Sequence, residues 1–87
     1  MTRDELKKVV FEVIREISPE ADPSTLDPTK RIREQLALDS MDFLDIILEL
    51  RKRYKIQIPE KDYMQLATLN GCLDYLEPKL KDVPSSQ

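Results

Sequence analysis

Glycine and proline placement is the strongest constraint on the fold of this chain. Its 87 residues include one glycine and six prolines, which lie mostly at the ends of apolar segments. Proline stops helices, whereas a sheet with many tight turns draws on glycine. Within the segments, apolar residues recur at three- and four-residue spacing, the period of a helix with one buried face. The sequence therefore predicts an all-α fold of short helices.

The first predicted helix has a signal at each end. Thr2 and Glu5 have the spacing of a capping box, in which each side chain accepts from the other residue's backbone N–H. Pro19 ends the helix because proline disfavours helical geometry in the preceding Ser18. The inward face consists of apolar residues at helical spacing: Leu6, Val9, Val10, Val13, Ile14 and Ile17.

A long ordered loop over residues 18–39 is predicted between the first and second helices. Its three prolines exclude a regular helix. A loop of this length in a small domain usually has a functional reason. One short helical turn is predicted in it, from Thr29 to Leu36, with Ile32 and Leu36 facing inward.

Three further helices are predicted after this loop. The second starts at Asp39 or Ser40 and runs to about Tyr54, a brief third covers 60–66, and the fourth follows the N-cap Thr68. The inward residues are Phe43, Ile46, Ile47, Leu50 and Tyr54 in the second helix, and Leu69, Cys72, Leu73 and Leu76 in the fourth.

Together these segments predict a small four-helix bundle, with three main helices, a short third helix and a long loop between helices 1 and 2. A chain of this length is expected to form one domain. We assign it to residues 1–82 and expect a flexible tail over 83–87.

Charge and composition restrict the classes of function that are open to this chain. The net charge is −3, and there is no histidine and one cysteine. Histidine-based catalysis and histidine metal ligation are excluded, and a nucleic-acid binder would more often be basic. No segment has the length of a membrane span, and the N-terminus lacks the apolar stretch of a signal peptide. We therefore expect a cytoplasmic monomer without membrane insertion.

Ser40 is the leading candidate site. It follows the acidic cap Asp39 at the start of the second helix. A hydroxyl at that position is expected to be exposed and to lie at the positive end of the helix dipole, where a phosphate is held well. Asp-Ser is also a common pair of capping residues. The dipeptide alone therefore does not define a function.

The wider segment resembles acyl carrier proteins, in which phosphopantetheine is attached to the serine of an Asp-Ser-Leu motif. The matching features run from Ile32 to Leu76: Glu34, Leu36, Asp39-Ser40, the apolar stripe of the second helix, Ile58-Pro59-Glu60, Thr68-Leu69 and Leu73-Asp74-Tyr75-Leu76. Ala37 and Met41 stand where that family usually has glycine and leucine, and both departures are expected to be mild. Arg51-Lys52-Arg53 replaces a run of glutamates.

This resemblance implies a freestanding carrier rather than an enzyme. Ser40 would receive phosphopantetheine from coenzyme A through a phosphopantetheinyl transferase, and Asp39 would cap the helix and help the transferase recognise it. The thiol of the arm would carry acyl or aminoacyl groups as thioesters between acyl-loading and acyl-processing enzymes. Fatty acid, polyketide and related biosynthetic pathways use such carriers. The basic run at 51–53 favours a dedicated pathway.

The resemblance also implies a docking surface beside Ser40. A helical wheel places there a face that is apolar in the middle, acidic near the serine and basic at the far end. The predicted docking residues are Met41, Asp42, Leu44, Asp45, Leu48, Glu49, Arg51 and Lys52. A solvated helix side with ion pairs such as Glu49 to Arg53 is the alternative interpretation, and the two can coexist.

Two other functions stay open from sequence. One is a helical protein–protein interaction module without a prosthetic group. The other is a nucleic-acid binder that uses the basic clusters at 30–33 and 51–55, although acids and core positions interrupt both. Cys72 is interpreted as a core residue rather than a nucleophile. Asp42 and Asp45 form a weak cation site at best, and no metal is expected.

Overall fold

The computed structural model describes residues 1–81, which form four α-helices and two 3₁₀ helices. The α-helices are α1 (Arg3–Ile17), α2 (Ile32–Leu36), α3 (Ser40–Tyr54) and α4 (Leu69–Lys79); the 3₁₀ helices are Pro23–Thr25 and Glu60–Leu66. This confirms the predicted small all-α fold. The predicted tail over 83–87 and its boundary at residue 82 lie outside the described residues.

Two of the predicted segments differ from the structure. The helical turn expected from residue 29 begins only at Ile32, because residues 28–30 form a turn that precedes it. The predicted third helix has the expected bounds but is a 3₁₀ helix, Glu60–Leu66. Seven residues is long for this geometry, which is seldom sustained beyond one turn. It therefore depends on tertiary contacts.

The predicted N-caps are confirmed at all three long helices. The Glu5 N–H donates to Thr2 Oγ1 at 3.2 Å, and the Thr2 N–H donates to Glu5 Oε1 at 2.7 Å. At α4 the Gly71 N–H donates to Thr68 Oγ1 at 2.9 Å. These contacts satisfy N–H groups that have no partner within the helix. Local sequence thus sets where each helix begins.

The core lies where α1 packs against both α3 and α4. Its members are Leu6, Val9, Val10, Val13, Ile14, Ile32, Leu38, Ile46, Ile47, Leu50, Ile58, Leu66, Leu69, Cys72, Leu73, Leu76 and Leu80. Most of the predicted inward residues are in this set. Ile17, Leu36, Phe43 and Tyr54 are only half-buried and pack at its edge. Leu38 and Ile58 join the core from loops, where periodicity gives no signal.

Hydrogen bonds within the long loop make it ordered. Asp22 accepts from the Ser24 hydroxyl at 2.6 Å and backbone N–H at 3.1 Å, and Asp27 accepts from the corresponding groups of Thr29 at 2.7 and 2.9 Å. These hydrogen bonds, the side-chain ones first, hold the pKa of both carboxyls below the usual value. Gln35 then ties the loop to α2, because its Oε1 accepts from the Asp27 N–H at 2.6 Å.

Arg53 joins α3 to α1. Its guanidinium lies 2.7 Å from a Glu16 oxygen, 3.5 Å from a Glu12 oxygen and 3.1 Å from a Glu49 oxygen. The predicted pair with Glu49 is present, and the two partners on α1 are additional. Burial works against the charge, but the hydrogen bonds and charges of Glu49 and Glu16 outweigh it and raise the pKa of Arg53. Arg53 therefore belongs to the framework of the bundle.

Candidate functional site: the start of helix α3

Ser40 is the first residue of α3, and its side chain is exposed. The preceding Asp39 is the N-cap, and its carboxylate accepts from the Asp42 N–H at 2.8 Å. The Asp42 carboxylate in turn accepts from the Asp39 N–H at 3.4 Å, which completes a capping box. Within residues 1–81, no group forms a hydrogen bond with the Ser40 hydroxyl. The hydroxyl is therefore presented to solvent from a fixed helix end.

The turn between α2 and α3 aims Ser40 outward. Ala37 ends α2 in the left-handed conformation, with φ 55° and ψ 38°, and the Leu38 N–H donates to the Arg33 carbonyl at 3.1 Å. Leu38 is then buried in the core, two residues before the serine. Left-handed backbone is unfavourable for a residue with a Cβ. Alanine at this position therefore carries a backbone cost that glycine would not have.

An open cleft of about 530 Å³ lies directly beside Ser40. It separates the N-terminal half of α3 from the 3₁₀ helix Glu60–Leu66, and its lining is Ser40, Phe43, Leu44, Leu48, Glu60 and Tyr63. Phe43 also lines a second cleft of about 300 Å³, together with Leu38, Met64 and Ala67 and the charged residues Arg31, Arg33 and Glu34. In the cleft that Ser40 itself lines, an apolar group attached at Ser40 would have mainly apolar side chains within reach.

The wall of this cleft is held by contacts from α4. The Tyr75 hydroxyl donates to Asp62 Oδ2 at 2.7 Å, and the Cys72 thiol donates to the Leu66 carbonyl at 3.1 Å. Gly71 lies so close to the Gln65 carbonyl that a Cβ there would clash with it. These contacts explain how the 3₁₀ helix persists over seven residues. Sequence reasoning did not find them, because they join residues distant in the chain.

The structure brings most of the predicted docking residues onto one surface beside Ser40. Met41, Leu44 and Leu48 are 70%, 39% and 43% exposed, respectively, and Asp45 is exposed among them. Two predicted members have intramolecular partners. Asp42 serves the capping box and Glu49 binds Arg53. Partnered carboxylates can still contribute charge to the surface, but their geometry is fixed by the fold.

Lys55 lies next to the basic end of α3, although it is not one of the docking residues predicted from sequence. Lys55 follows α3 and is left-handed, with φ 54°. The chain then turns back so that Ile56 and Gln57 border Leu48, together with Arg51 and Lys52. Lys55 is thus brought to the predicted docking residues by the turn rather than by helical spacing.

Residues 1–81 contain no cluster of three or more potential metal-binding side chains. No helix of this part of the chain is long and apolar enough to cross a bilayer. Cys72 is fully enclosed, and this burial raises its thiol pKa to about 12, so the thiolate is scarce at neutral pH.

Comparison with known proteins agrees with this geometry. The family profile described as the phosphopantetheine attachment site matches residues 8–76. An acyl carrier protein of Brachyspira hyodysenteriae is 35% identical, over 90% of this chain and 95% of its own. The meromycolate extension acyl carrier protein of Mycobacterium leprae is 24% identical, over 99% of this chain and 74% of its own. A Schizosaccharomyces pombe relative, named as a mitochondrial acyl carrier protein, is 25% identical, over 87% and 68% respectively.

The chain therefore belongs to the phosphopantetheine-dependent acyl carrier protein family. Its cofactor is covalently bound phosphopantetheine. Members of this family act as carriers rather than as catalysts, and they interact with a phosphopantetheinyl transferase and with acyl-processing enzymes. The geometry of the described residues is compatible with an attached phosphopantetheine, because an exposed hydroxyl stands at a helix N-terminus beside an apolar cleft.

Proposed function

We propose that Ser40 is the attachment residue and that the protein carries acyl intermediates in fatty acid or related biosynthesis. The observation that carries the proposal is the position of Ser40 as the exposed first residue of α3. There the helix dipole favours the phosphate of the arm. The arm would exit beside the apolar cleft, which offers cover for a thioester-linked chain.

The other serines fit this role less well. Ser18 ends α1 and is half-buried. The Ser24 hydroxyl donates to Asp22 at 2.6 Å, so it is engaged within the loop. Ser85 and Ser86 lie outside the described residues. Within residues 1–81, Ser40 alone combines exposure, an unengaged hydroxyl and the start of a long helix.

The finer details of the role are also proposals. Acyl or aminoacyl cargo, passed from acyl-loading enzymes to acyl-processing enzymes, is compatible with the mainly apolar cleft. For the pathway we propose fatty acid, polyketide or related biosynthesis; relatives named as an acyl carrier protein and as a meromycolate extension acyl carrier protein support this class of pathway. Monomeric state remains a prediction. So does the cytoplasmic compartment, since one relative is named as mitochondrial.

The test of Ser40 is attachment of the arm to purified protein. After incubation with coenzyme A and a broad-specificity phosphopantetheinyl transferase, intact mass should show one added phosphopantetheine. Ser40→Ala should remain folded, because the side chain is exposed, and should gain no mass. Ser24→Ala is the matched control and should be modified like the parent. Modification of Ser40→Ala, or none of the parent, would overturn the proposal.

Asp39 offers a second test, because its cap and its charge can be separated. Asparagine caps a helix about as well as aspartate, whereas alanine loses about 1 kcal/mol. If the transferase recognises the charge, Asp39→Asn should remain as stable as the parent yet load several times more slowly. Asp39→Ala should then be both less stable and slow. Equal loading of the parent and Asp39→Asn would leave Asp39 as a cap only.

A further inference from the structure

The basic run that ends α3 divides into two parts with different surroundings. Arg53 is only 18% exposed at its side chain and is bound by three carboxylates. Arg51, Lys52 and Lys55 form no ion pair with any acid in residues 1–81, and Lys52 and Lys55 are exposed. Ion pairs within the bundle thus explain the presence of Arg53, but they do not explain the other three cations. We call Arg51, Lys52 and Lys55 the cationic end of α3.

The cationic end surrounds a cleft of its own. This cleft has a volume of about 420 Å³ and is lined by Leu48, Arg51, Lys52, Lys55, Ile56 and Gln57. Leu48 also lines the cleft beside Ser40, so the two clefts meet along one helix face. The cationic end begins 11 residues after Ser40, about 17 Å along the helix axis.

We propose that the cationic end of α3 binds an acidic surface on the enzyme that acts on this carrier. The proposal rests on the proposed attachment at Ser40, since a partner seated on this face would receive the arm from Ser40. Asp45 near the serine calls for basic groups on the partner. The cationic end calls for acidic groups on the partner that begin about 17 Å from Ser40 along the helix axis. Leu44 and Leu48 supply the apolar contact between these two charged regions.

Charge complementarity favours a protein occupant over a phosphate-rich one. The face changes sign once along α3, with Asp42 and Asp45 near Ser40 and cations only at the far end of the helix. A uniformly anionic surface, such as a bilayer or a nucleic acid, would be repelled by the acidic half. A folded enzyme can match both signs in one interface.

The experiment uses a fatty acid elongation ketosynthase whose carrier-docking surface is basic, together with a variant of it in which two basic docking residues become glutamate. The carrier is compared as parent, as Arg51→Glu/Lys52→Glu, and as the matched control Lys7→Glu/Lys8→Glu on the exposed side of α1. Every carrier is first loaded with the arm and confirmed by intact mass. KM and kcat are then measured at low and high salt.

Against the basic ketosynthase, Arg51→Glu/Lys52→Glu should lower KM about fivefold at low salt with kcat unchanged. The effect should shrink at high salt, since exposed charges are screened. Against the acidified ketosynthase the order should reverse, so that the parent has the lower KM. The control pair should follow the parent within about twofold against both enzymes.

Equal KM values for the parent and Arg51→Glu/Lys52→Glu would overturn the proposal, as would an equal effect of the control pair, which would indicate net charge alone. Co-sedimentation with vesicles of phosphatidylglycerol tests the alternative occupant, a lipid surface. If the parent binds and Arg51→Glu/Lys52→Glu does not, the cationic end serves a lipid surface and the proposal fails. Failure of the arm to attach would count instead against Ser40, so the two proposals fail separately.

Discussion

Ala37 is placed in left-handed backbone, φ 55° and ψ 38°, by the turn that presents Ser40. Crowding of its Cβ costs roughly 1–2 kcal/mol in this region. Glycine would remove that cost. It would also raise the conformational entropy of the unfolded chain, which lowers stability by a somewhat smaller amount than the strain it removes. Ala37→Gly should therefore raise the free energy of unfolding by about 0.5–1 kcal/mol. Denaturant titration monitored by helical circular dichroism measures this directly.

Ala67→Gly provides the matched control for this substitution. Ala67 lies in right-handed backbone, φ −67° and ψ −27°, where glycine brings no relief of strain. It should lower the free energy of unfolding by about 0.5–1 kcal/mol. If both glycine variants lose stability, the backbone at residue 37 is not strained and this account of the turn is wrong.

Cys72 should be unreactive in the folded protein. Burial raises its thiol pKa to about 12, and its thiol donates to the Leu66 carbonyl. At pH 8 the folded chain without the arm should react with a disulfide reagent at least about a hundredfold more slowly than the unfolded chain. The loaded protein should show one fast thiol, that of the arm. Fast labelling of folded Ser40→Ala would contradict the burial of Cys72.

At the scale of elements, Arg53 links α1 to α3 through Glu12 and Glu16. Arg53→Met keeps most of the apolar stem and removes the ion pairs. Because the carboxylates remain partly solvated, the loss should be about 1–2 kcal/mol rather than that of a fully buried pair. The control Arg51→Met, which removes a cation with no ion pair in residues 1–81, should change stability by less than about 0.5 kcal/mol. Similar losses in both variants would contradict the framework role.

The contact between α4 and the 3₁₀ helix Glu60–Leu66 has a predicted pH dependence. Burial, and then the hydrogen bond and charge of Asp62, raise the pKa of Tyr75 to about 12. Because this folded-state pKa lies above the unfolded value of about 10, the stabilisation is fully present below pH 10. It is lost as the pH rises from about 10 through 12.

Tyr75→Phe isolates this contribution. It should lower the free energy of unfolding by about 1 kcal/mol at neutral pH and speed amide exchange over residues 60–66. The stability difference between the parent and Tyr75→Phe should disappear by about pH 12. A difference that stays constant between pH 8 and 12 would show that ionisation of Tyr75 is not coupled to folding.

At the scale of the whole molecule, short-range sequence patterns predict where the helices lie, whereas contacts between distant residues decide how the helices are arranged in space. Capping at Thr2, Asp39 and Thr68 was found from sequence because a cap involves residues three apart. The strain at Ala37 and the attachment of Arg53 to α1 were not, since both depend on how elements are placed in space. The candidate serine was found from sequence, whereas the cleft beside it required the fold.

The cleft beside Ser40 predicts that cargo will stabilise the whole protein. A chain carried on the arm is exposed when the protein unfolds, but it can lie against Phe43, Leu44 and Tyr63 when the protein is folded. Each methylene removed from water contributes up to about 0.8 kcal/mol, and the cleft is open on one side. Replacing a butyryl by an octanoyl cargo should therefore raise the free energy of unfolding by about 1–2 kcal/mol.

The measurement is denaturant unfolding of the protein loaded with acetyl, butyryl, hexanoyl or octanoyl phosphopantetheine. Leu44→Asn places a polar group in the cleft and should reduce the increase with chain length. Met41→Asn, at a side chain that is 70% exposed and lies outside the cleft lining, should leave the increase unchanged. An unfolding free energy that is the same for all four cargoes would show that the chain stays in solvent. The thioester would then depend on partner enzymes, rather than on this bundle, for protection from water.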